Sequence, residues 1–400
     1  MKPIGLINHG NVCYLNSALQ ILYSIEPLRN YLLSGKFEEN INVENKMGSK
    51  GKYIRTIANF FREYQKGYPD TTNILKMIRE LFPFGEQHDS HEVLLHLINT
   101  MHEDIVKDKT SFFKEILFHD MKNQMFCSHC DYVSESVMDT TDITLSIPKW
   151  SIYYSDCKKA SLVKDIVVCV HAFSNGNRVG SQIKICFPRV CTKEKIREIV
   201  CKELHVKQED IYKIFVDKNQ FKRELYDNNV INLTNATIEI HSKKNIFSMI
   251  KEKRVTTNDA MTQFFKPLYI PEWKCEKCHE HGGKKCVKYF NHPQYFIMHI
   301  QMFELGMFSQ TKRSDHMNFP DEFVWENFEE QNENEMIEEG VVYEVVGTIN
   351  HVGWTFFGHY YNFVKYGNDW YKCNDETITK VTQDKIHTKD TYIIIYKRKD

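Results

Sequence analysis

The chain has 400 residues, 52 Lys and Arg against 53 Asp and Glu for a formal net charge of -1, and is 42% hydrophobic and 26% charged. That length can bury a large core and more than one domain, and the balanced charge excludes the global field of a nucleic-acid or anionic-membrane binder. No apolar stretch approaches a bilayer span, Met1 to Ile4 leave no room for a signal peptide, and 12 cysteines are too few for a disulfide scaffold, so the expected setting is intracellular, cytoplasm or nucleus.

In chain order, the first informative stretch is Gly5 to Gln20. A Gly and Asn cluster reads as a turn, and Cys13 then begins an apolar run at helical spacing (Tyr14, Ala18, Leu22; Leu15, Leu19). A thiol at a helix start faces unpaired N–H groups and the positive end of the dipole, which favours the nucleophilic thiolate. Asn8 and Asn11 lie just upstream with amide donors of the kind that stabilise an oxyanion. A buried structural cysteine fits the same stretch, and only a partner elsewhere separates the two readings.

Leu28 to Leu33 reads as a short helix, Gly35 to Lys52 as a polar loop, and Tyr53 to Lys66 and Ile74 to Leu81 as helices of an α-rich lobe. Gln87 to Met101 reads as a helix capped by Asp89 or Ser90, with Val93, Leu94, Leu97 and Ile98 buried and His91 solvated. Phe112 to Phe126 reads as a strand pair running into Cys127-Ser128-His129-Cys130, and Tyr132 to Ile147 continues in alternation. A second hook, Cys275-Glu276-Lys277-Cys278, lies far downstream. Two Cys-x-x-Cys pairs suit one tetrahedral four-thiolate zinc, with Cys286, His279 and His281 as lesser candidates.

Between the hooks, about Leu162 to Ser242, the order is hairpin (Val163 to Val170, a turn at Asn175-Gly176-Asn177, Gln182 to Phe187), helix (Thr192 to Leu204) and strands (Ile211 to Val216 and, after a turn at Asp217 to Asn219, Ala236 to Ile240). That is the order of a β-grasp. Beyond the second hook, Tyr289-Phe290 and Tyr295 to Ile300 read as strands of a central sheet. Asp321 to Glu339 carries nine acidic residues and reads as a solvated loop, with part of it able to steer a basic partner. Three β-like runs close the chain, with His359 opening one and Asn374-Asp375 ending another. A Cys nucleophile needs an imidazole to take its proton and a third group to orient that imidazole. Cys13, His359 and Asn374 or Asp375 supply all three.

These stretches together resemble the ubiquitin-specific proteases, papain-like cysteine deubiquitinases. The Cys box is Gly5 to Gln20, with Val12 where that family usually has Thr; Gln87 to Val93 is similar to its Gln-Gln-Asp-Ser-His-Glu-Phe element, with His88 and Val93 departing; Tyr343 to Val364 matches its His box. Gln301-Met302-Phe303 stands where the family usually has Lys-Arg-Phe, so the resemblance does not carry a basic contact to that point.

The resemblance implies an α+β, papain-like cysteine protease of thumb-palm-fingers architecture with an inserted β-grasp, ubiquitin-like domain. The expected boundaries are 1–160 and 244–400 for the catalytic domain and 161–243 for the insert. It implies that Cys13, His359 and Asn374 act as a triad with Asp375 as understudy and Asn8 at the oxyanion. It also implies that Gln87 packs near the cysteine, that Asp89 contacts the ubiquitin tail, and that Cys127, Cys130, Cys275 and Cys278 hold zinc. The expected partners are ubiquitin and ubiquitinated proteins, plus a further partner for the insert, with no nucleic acid and no membrane. Rival expectations are a catalytically inactive ubiquitin-binding scaffold and a protease for another ubiquitin-like modifier.

Overall fold

Apolar residues recurring at three and four positions make the amino-terminal third helical. In the structure, a computed structural model, residues 2–147, 165–174, 177–188, 190–204, 207–218, 221–226, 230–233, 236–242, 255–305, 310–312, 317–325, 340–353 and 358–399 are described. Two compact units emerge, Met1–Ile147 with Thr256–Asp400, and Pro148–Val255.

In the first unit, helices α1 (Cys13–Ser24), α2 (Glu26–Ser34), α3 (Lys52–Lys66), α4 (Thr72–Ile78), α5 (Ser90–Ile105) and α6 (Phe112–Leu117) follow one another. α1 is buried along every face from Cys13 to Tyr23, as a helix enclosed by other elements must be. It packs on α5 and on the strand Gly358–Tyr366. α3 is flanked by Gly51 and Gly67 in left-handed conformation, and α5 is capped by Asp89, whose carboxylate accepts from the His91 N–H.

The fully buried Asp104 on α5 organises the loop before α3. Its carboxylate accepts from the Ser49 N–H at 2.6 Å, the Ser49 hydroxyl at 2.8 Å, and the Gly51 and Ile54 N–H groups at 3.1 Å each. Asp104→Ala leaves those donors buried and unpaired, and is expected to lower stability by about 3 kcal/mol, read as a shift of the urea midpoint. The loop also winds a short 3-10 turn, Lys36–Asn40, inside the stretch expected to be irregular.

Two sequence expectations change. Phe112–Leu117 is helix α6 rather than strand, because the Ser111 hydroxyl accepts from the Lys114 N–H and Phe113, Ile116 and Leu117 recur at helical spacing. Tyr289-Phe290 belongs not to the central sheet but to a four-stranded antiparallel arm, ordered Leu268–Lys274, His281–Phe290, His119–Cys127, Val133–Thr140. The arm joins two stretches distant in sequence, register Asp120 with Phe290 through Cys127 with Gly283.

The central sheet has eight strands among the described residues. Seven run in the order Thr377–Val381, Asp369–Asn374, Gly358–Tyr366, Val341–Gly353, Thr391–Arg398, Tyr295–Gln301, Asp142–Ser146, and Glu322–Trp325 pairs with Val341–Gly353. His91, expected in solvent, instead ties α5 to this sheet: its Nε2 meets Asp142 Oδ2 at 3.0 Å and its ring stacks on His299 at 3.7 Å. Burial pushes the His299 imidazole down to about 3, so the stack does not set two charges face to face.

The second unit holds a five-stranded sheet ordered Asn177–Pro188, Asp165–Ser174, Ala236–Ser242, Ile211–Lys218, Phe221–Glu224. Ala236–Ser242 runs parallel to Asp165–Ser174, and the other pairings are antiparallel. Ile196 and Val200 of the helix Lys193–Leu204 join Val170, Ile214, Ile238 and Ile240 in one buried cluster. The turn residues Asn175, Gly176 and Asn219 and the acidic stretch 326–339 lie outside the described residues; the start of that stretch, Glu322–Trp325, is strand. Among the described residues no helix is long and apolar enough to cross a membrane.

Candidate active site

Cys13 is the first residue of α1 and only 4% exposed. The turn that delivers it winds around Asn8, whose side-chain oxygen accepts from the Gly10 N–H at 3.0 Å and the Val12 N–H at 3.2 Å. Gly10 and Asn11 adopt positive φ there, +111° and +53°, which glycine and asparagine tolerate. The first N–H groups of α1 have no intrahelical acceptor, so the helix presents donors beside the sulfur.

His359 is the second residue of the strand Gly358–Tyr366, against which α1 packs. Its Nε2 donates to Asn374 Oδ1 at 2.6 Å, across paired strands in which Asn362 faces Cys373. The neighbouring Cys13 is the main cause that raises the His359 pKa to about 9, against partial burial, with the Asn374 bond adding to it. The imidazole is therefore coupled to both the sulfur and the amide, and the sulfur favours its imidazolium form.

Asp375, the residue expected to share the Asn374 role, does something else. It turns the chain at φ +48°, accepts from Asn8 Nδ2 at 2.8 Å on one oxygen and from Asn16 Nδ2 at 2.8 Å on the other, and its carbonyl accepts from the Leu6 N–H at 2.9 Å. It therefore braces the turn before Cys13, and among the described residues it is Asn374, not Asp375, that accepts from His359. Asn8 has one amide N–H on Asp375 and a second left to donate.

Gln87 meets the backbone of the residue before His359. Its Nε2 donates to the Gly358 carbonyl at 2.8 Å and its Oε1 accepts from the Gly358 N–H at 2.9 Å, clamping the residue before the imidazole. Asn11 Nδ2 donates to the Gly85 carbonyl at 2.8 Å, tying the same loop to the cysteine turn. Asp89 accepts from the Tyr392 hydroxyl at 2.5 Å as well as capping α5, so both its oxygens are engaged. Asn16, Gly358 and Tyr392 escaped the sequence reading. Only Asn16, a polar residue on the apolar face one turn beyond Cys13, left a signal there.

At the end of the arm the four hook cysteines gather, their sulfurs all within 4.8 Å of one another. Cys127 and Cys278 are 3.6 Å apart, Cys130 and Cys275 3.7 Å. A tetrahedron of about 2.3 Å zinc–sulfur bonds has edges of roughly 3.8 Å, so the spacing suits that ion. The N–H groups of His129 and Lys277 point at Cys127 and Cys275 sulfurs, at 3.3 and 3.4 Å, and would stabilise thiolates. Cys286, His279 and His281 stand outside the cluster; His281 Nδ1 is paired instead with the Glu272 carbonyl.

The family model described as ubiquitin carboxyl-terminal hydrolase matches residues 4–396. A probable ubiquitin carboxyl-terminal hydrolase of Acanthamoeba polyphaga mimivirus is 24% identical over 99% of this chain and 90% of its own length. Ubiquitin carboxyl-terminal hydrolase 32 of Drosophila melanogaster is 34% identical over 25% of this chain but only 6% of that relative, and the chain spans 13% of ubiquitin carboxyl-terminal hydrolase 36 of Drosophila grimshawi. Among solved structures, the SAGA Ubp8/Sgf11/Sus1/Sgf73 DUB module bound to ubiquitin aldehyde aligns with a TM-score of 0.62 at 15% identity, covering 99% of this chain and 70% of that one. At that identity the likeness concerns the mixed α/β fold.

Proposed function

This chain belongs to the ubiquitin carboxyl-terminal hydrolase family, and we propose that it is a deubiquitinase, a thiol-dependent hydrolase of the bond that follows the C-terminal glycine of ubiquitin on protein conjugates. The observation that carries this reading is His359, which donates to Asn374 and is raised to about 9 chiefly by Cys13 from the other end of the chain. The Cys13 thiolate attacks the glycine carbonyl. The resulting oxyanion meets the free amide N–H of Asn8 and the backbone N–H of Cys13. His359 gives its proton to the departing lysine amine, which leaves a thioester on Cys13. Water, deprotonated by His359, then attacks the thioester carbon, and the carboxylate leaves as the thiolate re-forms. Asn374 orients the imidazole, Asp375 holds Asn8, and Gln87 and Asp89 border the tail's path.

In domain terms, α1 to α5 are the thumb, the eight-stranded sheet the palm, and the four-stranded arm the fingers, over residues 1–160 and 244–400. Residues 161–243 form the insert. A β-grasp, ubiquitin-like reading of it is supported by the mixed sheet whose first and last strands are parallel neighbours, with the helix Lys193–Leu204 packed on one face. Zinc on Cys127, Cys130, Cys275 and Cys278 would pin the fingertips and take no part in the chemistry.

Because His359 is raised to about 9, it carries its proton below that pH and loses it above. The acid for amine departure disappears with that proton, so kcat/KM is expected to fall tenfold per pH unit beyond about 9 in a pH-rate profile. A plateau continuing to pH 10.5 would contradict the assignment. The function itself is tested with ubiquitin bearing a C-terminal electrophile. Adduct formation at Cys13 supports it, and a folded protein that stays unlabelled, or reacts only with probes built on other ubiquitin-like modifiers, overturns it.

A further inference from the structure

We propose that His351 is a positioning residue for His359: its imidazole ring, wedged against Gly358, fixes the peptide from which the His359 side chain projects and so sets the approach of imidazole to sulfur. The proposal rests on the reading of Cys13 and His359 as nucleophile and base.

His351 lies on the strand Val341–Gly353, where it pairs with Tyr360 while Gly353 pairs with Gly358. It is 2% exposed. Its ring packs beside Tyr360, Phe303 and Tyr392 at centroid distances of 4.7, 5.2 and 6.4 Å. Those three rings leave it little freedom to move away from Gly358. A Cβ built on Gly358 would fall 1.8 Å from His351 Nε2 and 2.5 Å from Cε1, so the imidazole occupies the space a side chain there would need. Room for this ring is what requires glycine here.

The same residue is clamped along its peptide edge by Gln87. Gly358 is thus fixed in two directions, by an amide at its edge and a ring at its Cα, immediately before the imidazole. The His351 carbonyl in turn accepts from Lys312 Nζ at 2.5 Å, which holds the strand carrying the wedge. Burial first, then the charges of Lys312 and His359, lower the His351 pKa to about 4, so the wedge stays neutral beside the imidazolium. Its Nδ1 has no hydrogen-bond partner among the described residues, which fits a part played by shape rather than by proton relay.

Three variants and one double variant test this on the full chain, with melting curves to confirm folding. His351→Ala should lower kcat about tenfold to a hundredfold with KM within about twofold, and should move the alkaline limb of the pH profile. His351→Phe, which keeps a flat ring, should restore kcat to within about threefold and return the limb. Gly358→Ala alone should cost about a hundredfold, and Gly358→Ala with His351→Ala should recover at least about tenfold of that, because the two share one space. His351→Ala with wild-type kcat, a Phe variant as impaired as Ala, or a double variant no better than Gly358→Ala would each overturn the wedge. The imidazole titration of His359, followed by NMR in wild type and His351→Ala without substrate, separates this from the function. A shift there supports the wedge even if ubiquitin substrates are not turned over, and identical titrations refute it even if they are.

Discussion

Alanine at Cys13 is expected to reduce ubiquitin hydrolysis by about six orders of magnitude, to whatever the oxyanion donors and binding alone provide. Alanine at His359 should cost nearly as much. The double variant should cost scarcely more than either, because sulfur and imidazole act as one unit. The effect should fall on kcat, since neither side chain is needed to hold the ubiquitin body. Fluorogenic ubiquitin cleavage, single turnover against steady state, reads this directly. Residual activity within a hundredfold of wild type in Cys13→Ala would remove the nucleophile from the scheme.

The third position is graded differently. Asn374→Ala leaves His359 its place on the strand but frees the ring to turn, so a smaller loss follows, mainly in kcat. Asp375 is a separate matter: its carboxylate holds Asn8 and Asn16 and never takes the His359 bond. Losing it would loosen the turn before Cys13 rather than the imidazole.

This division shows where the sequence was legible. The periodicities of α1, α3 and α5, the two cysteine hooks and the Cys13, His359 and Asn374 stretches could be read because each rests on local spacing. Asn374 and Asp375 could not be separated by spacing, since adjacent strand-end residues face different neighbours and only the tertiary pairing decides which meets the histidine. Phe112–Leu117 was misread because a short apolar run fits strand and helix alike, and the Ser111 cap that decides it is a single residue. His91 looked solvated because its partners, Asp142 and His299, lie on strands distant in sequence. Gly358 and His351 left no trace, for a glycine required by a neighbour's ring looks like any other glycine.

Loss of the metal is expected to have the largest structural effect, and it should be confined to the arm. Strands His119–Cys127 and Val133–Thr140 are mostly half-buried or exposed, and Leu268, Tyr269, Val137 and Met138 stand in solvent, so the arm has little core of its own. Backbone pairing alone holds a ribbon of that kind weakly. The four sulfurs close a loop that contains the whole insert and join two segments that, among the described residues, also pair along one register. Binding free energy for a structural zinc is folding free energy for the segments it joins. Removing it by chelation, or replacing Cys278 by serine, should therefore speed amide exchange in 119–140 and 268–290 by roughly a thousandfold, about 4 kcal/mol of local stability, while α1 and the eight-stranded sheet keep their protection. KM for ubiquitin should rise while kcat at saturation changes little, because Cys13, His359 and Asn374 lie on other elements. Cys286→Ser, in the same sheet but outside the cluster, should leave exchange and zinc content as in wild type. Equal protection in the Cys278→Ser and wild-type arms, with one zinc still bound, would show that these thiols hold no metal.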